Sequence, residues 1–440
     1  MEFIDYSPSA SPTPDQQRDA LRKGLGRALQ WAISGRLDYE PLLEACLQDQ
    51  RFDWQVEDSR GDWLWSMVQA VGAMEQFRVP ILHALYDLSD DGNATQLCEL
   101  ALCYAKQGDE TFRSLLYEFV EQKRFDGALW RAEEAAIELD GEQGFLFAAR
   151  VRGQLLACRE WEWEDGNLIG IATERFGETR VNALLETSSD EEISRFREGW
   201  RREKQKKDER TPSESHQERM AAVPVEEVFR AAEGESKCYW FRGWGKHAKE
   251  ADLQTVLHHL WAVRKPNVLA NLLRVFSARA LPKFDVRLIG LCWHDDKEVR
   301  LWAYRALEEN KHPLIRDFAL TELHRGMKDW PVVGLFINNY QKGDEKLILE
   351  SMLFPKDECE LHWLLMDVIK VLEKYPQADC FPLGVITYAS TPCENCRFRA
   401  ARLLLNQQVA PDWLMDECRY DSNKDCRELV EKGNSMTESS

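Results

Sequence analysis

The sequence predicts an all-α protein, an alpha solenoid of stacked helical pairs in two arrays, on three observations. First, buried-type positions recur at Val268, Val299, Val333, Leu364, Cys396 and Cys426, spaced by 31, 34, 31, 32 and 30 residues. Second, the N-terminal half repeats at a different interval. Leu29-Gln-Trp-Ala-Ile-Ser-Gly35 aligns without gaps on Leu102-Cys-Tyr-Ala-Lys-Gln-Gly108, an offset of 73 at which Leu42-Leu43 also meets Leu115-Leu116 and Arg51-Phe52-Asp53 meets Arg124-Phe125-Asp126. Third, no run alternates between apolar and polar residues long enough for a strand, and the valine-rich stretch 330–338 is short. A fixed period in the thirties with two helices per period is the mark of a helical-repeat array.

The second array is anchored by residues 294–307. Asp295 or Asp296 can cap a helix there, because a short carboxylate accepts from the orphan N–H groups of the first turn. Glu298 sits near the positive end of the helix dipole. Val299, Ala303, Ala306 and Leu307 then form one apolar stripe, and its alanines allow a neighbouring helix close approach. The apolar–arginine pair recurs as Ile315-Arg316, Cys396-Arg397 and Cys426-Arg427. Partner helices fall between these positions, at 252–261, 285–293, 313–325, 345–354, 381–389 and 411–418. Asp296-Lys-Glu-Val299-Arg300 with Ala303 and Ala306 resembles the second helix of the HEAT-repeat superfamily, an Asp-x-x-Val-Arg pattern followed by alanines. Asn395-Cys396-Arg397 with Ala400 and Ala401 is a looser form of it. The resemblance covers roughly residues 252–433. It implies stacked helix pairs with a concave binding surface, and it implies no activity.

In the N-terminal half, Gly35 and Gly108 are placed to end helices in the left-handed conformation. Halving the offset gives roughly 36 residues per pair, so another pair belongs near 63–75 and 80–88, with Pro80 in the first helical position. These glycine-ended helices resemble a tetratricopeptide- or armadillo-type repeat. A single helix is expected over 141–159, an interruption at 161–166, and helices over 168–176, 180–186 and 191–202. Ser189 and Glu192 have the spacing of a capping box for the last. Residues 203–222 carry no apolar side chain before Met220 and cannot bury enough surface to offset their ordering entropy. The expected division is therefore a disordered tail 1–15, an array 16–202, a polar linker 203–222, a HEAT-like array 223–432 and a tail 433–440.

Composition narrows the function. The 440 residues carry a net charge of −19, which argues against general affinity for nucleic acid or anionic membranes and is compatible with a basic protein partner. No apolar run reaches the ~18 residues needed to span a bilayer, and residues 1–15 lack an apolar signal region. With twelve scattered cysteines this points to a reducing, cytoplasmic location.

Few constellations carry chemistry. Cys393 and Cys396 form a C-x-x-C near Cys380, Cys418 and Cys426, but a second close pair is not evident, and Cys396 and Cys426 already hold apolar register positions. His258 with Glu250, or His294 with Asp295 and Asp296, can be drawn as acid–base pairs, yet they fall in an amphipathic helix and an inter-helix loop. No catalytic residue, metal or cofactor is expected. Candidate binding residues are the aromatics Trp161, Trp163, Trp240 and Trp244, and the basic run around Arg201, Arg202, Lys206 and Lys207. The expected function is a non-catalytic scaffold that binds another protein. Two other readings stand beside it. One is an enzyme on a HEAT-like scaffold acting on nucleic acid in the manner of alkylpurine glycosylases, for which Trp302, Asp296 and Arg300 are available in type. The other is an acidic partner that neutralises a basic protein.

Overall fold

The computed structural model describes residues 6–54, 56–89, 92–122, 126–158, 166–209 and 216–437. Among them every regular element is a helix. The chain divides into two compact units, one of Pro8–Thr211 with Asp416–Ser440 and the other of Met1–Ser7 with Pro212–Met415.

The first unit contains α1 (Pro14–Lys23), α2 (Arg27–Ile33), α3 (Tyr39–Leu47), α4 (Gly61–Ala70), α5 (Met74–Tyr86) and α6 (Ala94–Lys106). It continues through α7 (Glu110–Gln122), α8 (Asp126–Asp140), α9 (Glu142–Cys158), α10 (Asn167–Phe176), α11 (Glu178–Thr187) and α12 (Glu191–Glu209). The internal repeat is visible in hydrogen bonds. Gly35, Gly72 and Gly108 all have positive φ, at 69°, 67° and 91°. At each, the glycine N–H bonds three residues back and the next N–H five residues back: Gly35 to Ala32 and Arg36 to Trp31, Gly72 to Gln69 and Ala73 to Val68, Gly108 to Ala105 and Asp109 to Tyr104. This double bond satisfies the carbonyls that a helix end leaves open, and the left-handed turn it needs suits glycine.

Three local expectations are corrected. Pro80 lies inside α5, not at its start. The carbonyl of Gln76, which an N–H at position 80 would have engaged, instead accepts the Tyr39 hydroxyl at 3.3 Å. The cap of α12 is Asp190, whose carboxylate accepts from the N–H groups of Glu192 and Ile193, in place of Ser189. Finally, residues 9–15, expected in a disordered tail, are tied to the fold: Thr13 and Gln16 form a reciprocal capping box on α1, and the Ser9 and Ala10 carbonyls accept from Trp31 and Arg36.

The polar segment 203–222 carries α12 to Glu209 and a further helix, α13 (His216–Ala222). The second unit then runs α14 (Val225–Ala232), α15 (Phe241–His247), α16 (Glu250–Leu260), α17 (Pro266–Arg274), α18 (Arg287–Leu291), α19 (Lys297–Glu308) and α20 (Pro313–His324). A 3-10 helix (Trp330–Leu335) leads into α21 (Phe336–Asn339), followed by α22 (Asp344–Ser351), α23 (Glu358–Lys374), α24 (Phe381–Ser390), α25 (Glu394–Asn406) and α26 (Asp412–Cys418). Val268, Val299, Val333, Leu364 and Cys396 are all buried. Val333 sits in the 3-10 helix, where Pro331 and Gly334 disfavour a regular α-helical turn.

Asp296 caps α19 through the Val299 N–H, and Arg300 donates to the carbonyls of His294 and Asp295 and pairs with Asp329 at 3.2 Å. The same device recurs before α27 (Lys424–Thr437), which extends beyond the expected tail boundary at 433. There Asn423 caps Cys426, and Arg427 donates to the carbonyls of Asp421 and Ser422. The segment 416–427, expected with the second array, instead packs into the first unit. Arg27 pairs with the buried Glu417 at 2.8 Å, the Trp63 indole donates to the Tyr420 carbonyl, and Ser422 donates to that of Gly24. A Cβ at Gly26 would lie 1.9 Å from the Glu417 carbonyl, so glycine is required for this approach.

Within the first unit Glu99 is buried between Arg131, at 3.0 Å, and the Gly61 N–H at the start of α4. Burial pushes its carboxyl up to about 7, although Arg131 and the Gly61 N–H pull the other way. A carboxylate raised in the folded state costs stability above that value, and the cost fades as pH falls toward the ordinary 4.5. Between pH 8 and 6 the wild-type protein should therefore gain about 1 kcal/mol relative to Glu99→Gln. Thermal melts of both proteins at the two pH values check this; parallel pH profiles would show that Glu99 does not titrate in that window.

Candidate functional site

Helix α19 supplies the largest share of one cavity in the second unit. Its residues Glu298, Leu301, Trp302, Arg305 and Glu308 recur every three or four positions and so share one face, which Glu309 just after the helix extends. Val299, Ala303 and Ala306 belong to the buried stripe beside it. The remaining walls are Trp363 and Lys370 of α23, Trp330 at the start of the 3-10 helix, Ser277 after α17, and Tyr239 and Arg242 at the entrance to α15. They enclose about 370 Å³. Three indoles and a phenol thus meet a balanced set of charges.

The charges are arranged in two groups. Arg305 is buried; it donates to Glu308 at 2.5 Å and to Asp367 at 2.9 Å, and it lies 5.3 and 5.5 Å from the Trp330 and Trp363 ring centroids. Burial opposes its charge, but Asp367 and Glu308 outweigh that and hold it protonated. Lys370 reaches Asp367 at 3.2 Å and Glu308 at 3.4 Å. Burial and the neighbouring Asp367 charge together raise Glu308 above the ordinary carboxylate range. Gly334 allows the 3-10 backbone to come close: a Cβ there would sit 3.2 Å from both Asp367 Oδ2 and Glu308 Oε2. In the second group Arg274 stacks 4.6 Å from Trp302 and 5.4 Å from Tyr239, pairs with Glu298 at 3.0 Å and donates to Asn271. Burial lowers the Arg274 pKa, with Glu298 opposing. Arg305 Nη2 and Arg274 Nε are buried and find no hydrogen-bond partner among the described residues.

Comparison with family models, with curated proteins and with solved structures finds no match to this chain. Function must be argued from geometry.

Little of the expected site coincides with the cavity. Trp244 is 1% exposed and its indole donates to the Val223 carbonyl, so it is core and not a contact surface. Trp240 is exposed and packs edge-on against Phe241; its neighbour Tyr239 is the aromatic that reaches the cavity. Trp161 and Trp163 lie outside the described residues. Arg201 pairs with Glu186 and Lys206 with Glu203, so both are partly neutralised, while Arg202 is exposed and Lys207 is part of α12. Of the trio Trp302, Asp296 and Arg300, only Trp302 lines the cavity, since Asp296 is a cap and Arg300 ties down its loop. His294 is likewise spent on local structure, accepting from the Asp296 N–H. The sequence reading missed Arg305, Glu308, Asp367 and Lys370. Their signal was the register Trp302-x-x-Arg305-x-x-Glu308, three residues apart along the polar edge of an apolar stripe.

A second cluster joins α23 to the start of α25. The side-chain donor atoms of His362, Cys393 and Cys396 all lie within 4.8 Å of one another, with His362 Nδ1 3.8 Å from Cys396 Sγ. Both cysteines are buried. Hydrogen bonding from the Cys396 thiol and from His362 holds Cys393 well below the ordinary thiol range, and the same contact with burial pushes Cys396 up. Both cysteines are thus core positions, and His362, which the sequence analysis did not connect with them, brings a third donor atom to the cluster. The overlooked signal was Cys359-Glu-Leu-His362, which pairs with Cys393-Glu-Asn-Cys396.

Proposed function

We propose that this chain is a non-catalytic binding protein of HEAT-like helical repeats, stacked as a solenoid, and that it holds another protein at the tryptophan-walled cavity. The observation that carries this reading is the composition of the walls. Tryptophan, tyrosine and arginine dominate the energetics of protein interfaces, and here Trp302, Trp330, Trp363, Tyr239, Arg242 and Arg305 surround one opening. Trp363 is 40% exposed and Tyr239 60%, so part of this aromatic surface faces solvent. The repeated helix-end and capping devices support a repeat architecture. No helix among the described residues is long and apolar enough to cross a membrane. Twelve unbridged cysteines favour a reducing, cytoplasmic setting.

The test is affinity capture with the full chain from native lysate at moderate salt, with and without nuclease. A protein retained by wild type should be lost or weakened about 30-fold or more by Trp363→Ala, and unaffected by Tyr86→Ala on the first unit. Capture that survives Trp363→Ala places the contact elsewhere.

A second reading has one observation in its favour. Indoles, the Arg305 guanidinium and the Glu308 carboxylate line one cavity, and such a set can stack on and polarise a planar cationic base. Its net charge of −19 opposes it. Absence of DNA binding at low salt would remove this reading.

A further inference from the structure

We propose that His362, Cys393 and Cys396 bind a zinc(II) ion, with Cys359 as the fourth ligand. Three of the four donors are already gathered. In a tetrahedral site with Zn–S of about 2.3 Å and Zn–N of about 2.1 Å, neighbouring nitrogen and sulfur ligands lie roughly 3.6 Å apart and two sulfurs roughly 3.8 Å. His362 Nδ1 and Cys396 Sγ are 3.8 Å apart, and the whole set spans no more than 4.8 Å, so small side-chain rotations close it around a metal.

The positions of these residues on their helices make the arrangement specific. Cys393 is the residue immediately before α25, and Cys396 lies one turn into it. A C-x-x-C at a helix start thus presents both sulfurs to one point, with the positive end of the dipole behind them. His362 lies in the second turn of α23, and Cys359 is three residues before it, on the same face and in the first turn. Cys359 is exposed, and a first turn with one side chain cap can adjust cheaply. The full motif reads Cys-x-x-His, thirty intervening residues, Cys-x-x-Cys: two close pairs from two packed helices. Soft thiolates with an imidazole favour zinc over magnesium or calcium, whose ligands are oxygens.

The charge balance is also met. Three thiolates and a neutral histidine around Zn²⁺ leave one negative charge, and Arg399, itself paired with Glu373 at 2.6 Å, is close enough for its charge to act on both sulfurs. Binding transfers thiol protons to solvent as the Zn–S bonds form, and no oxidant or reductant is needed.

The ion would tie α23 to α25. Because Trp363 follows His362 in sequence, with their rings 5.8 Å apart, it would also fix one wall of the cavity. The zinc site itself does not depend on what that cavity binds.

The experiment is elemental analysis of protein purified without chelator, followed by cobalt(II) substitution. Zinc should be present at about one equivalent per chain, and cobalt should give thiolate charge-transfer and intense tetrahedral d–d bands. Cys393→Ser and Cys396→Ser should lose the metal, Cys359→Ser should bind it at least tenfold more weakly, and Cys158→Ser, exposed and in the other unit, should keep it. Cys393→His, which preserves a ligand, guards against mistaking misfolding for metal loss and should retain zinc. Chelation should lower the Tm of the wild type but not of Cys396→Ser. Zinc undiminished in Cys393→Ser, or a metal-free protein whose Cys393 and Cys396 form a disulfide, would overturn the proposal. Unchanged affinity in Cys359→Ser would overturn the four-ligand form.

Discussion

Replacing Arg305 with methionine is expected to destabilise its unit by about 3–5 kcal/mol, the range for breaking a buried ion pair from one side. The guanidinium is buried between two indoles and holds Glu308 and Asp367 together. Without it those carboxylates face one another, and Lys370, with a third of its side chain exposed, is the cation left to balance them. Methionine retains much of the packing, so the loss reports mainly the stranded charges. Denaturant unfolding followed by tryptophan fluorescence measures it. Two further results are expected. Adding Asp367→Asn should restore a large part of the stability, because one carboxylate beside one lysine remains. The deficit should also shrink as pH falls. Glu308, raised already by burial and the Asp367 charge, loses its main counter-cation; the cost is complete while it is charged and disappears as pH drops through its raised value. A deficit below about 1 kcal/mol would show that solvent screens the cluster as it screens a surface pair.

Glu133→Ala should cost the first unit a comparable amount, about 3–5 kcal/mol. Both oxygens of Glu133 accept from Arg152 at 2.7 Å, and neither residue is more than 2% exposed. Alanine takes from the buried guanidinium the carboxylate to which two of its bonds run. Nearby, Arg180 and Glu142 make a fork of almost identical geometry, at 2.6 and 2.7 Å, on the surface. Glu142→Ala should leave the unfolding midpoint where it is. If the two substitutions had equal effects, burial would not be what gives the inner pair its value.

These pairs also mark where the sequence is legible and where it is not. Period and helix ends could be read because they are local: the left-handed glycines at 35 and 108 and the cap at Asp296 act within one turn. Asp190 shows the limit of such reading, since two adjacent residues could each cap α12 and only the backbone decides between them. The cavity was harder. Arg305 and Asp367 are 62 positions apart and meet only because α19 and α23 both pack on the 3-10 helix. Arginine and aspartate on a helix read as surface residues until a neighbouring helix buries them. The histidine–cysteine cluster was half visible: Cys393 and Cys396 share a recognisable spacing, whereas His362, 34 positions before Cys396, meets it only through the packing of α23 on α25.

The packing of Glu417 and Tyr420 against Arg27 and Trp63 has a consequence for synthesis. Translation delivers residues in order, so all of the second unit leaves the ribosome before the first receives the segment that covers α2 and α4. Until then the Trp63 indole lacks the carbonyl it donates to, and Arg27 lacks its buried carboxylate. The portion made first is thus completed last, and a chain cut after Met415 would carry its defect some 390 positions upstream, at Arg27.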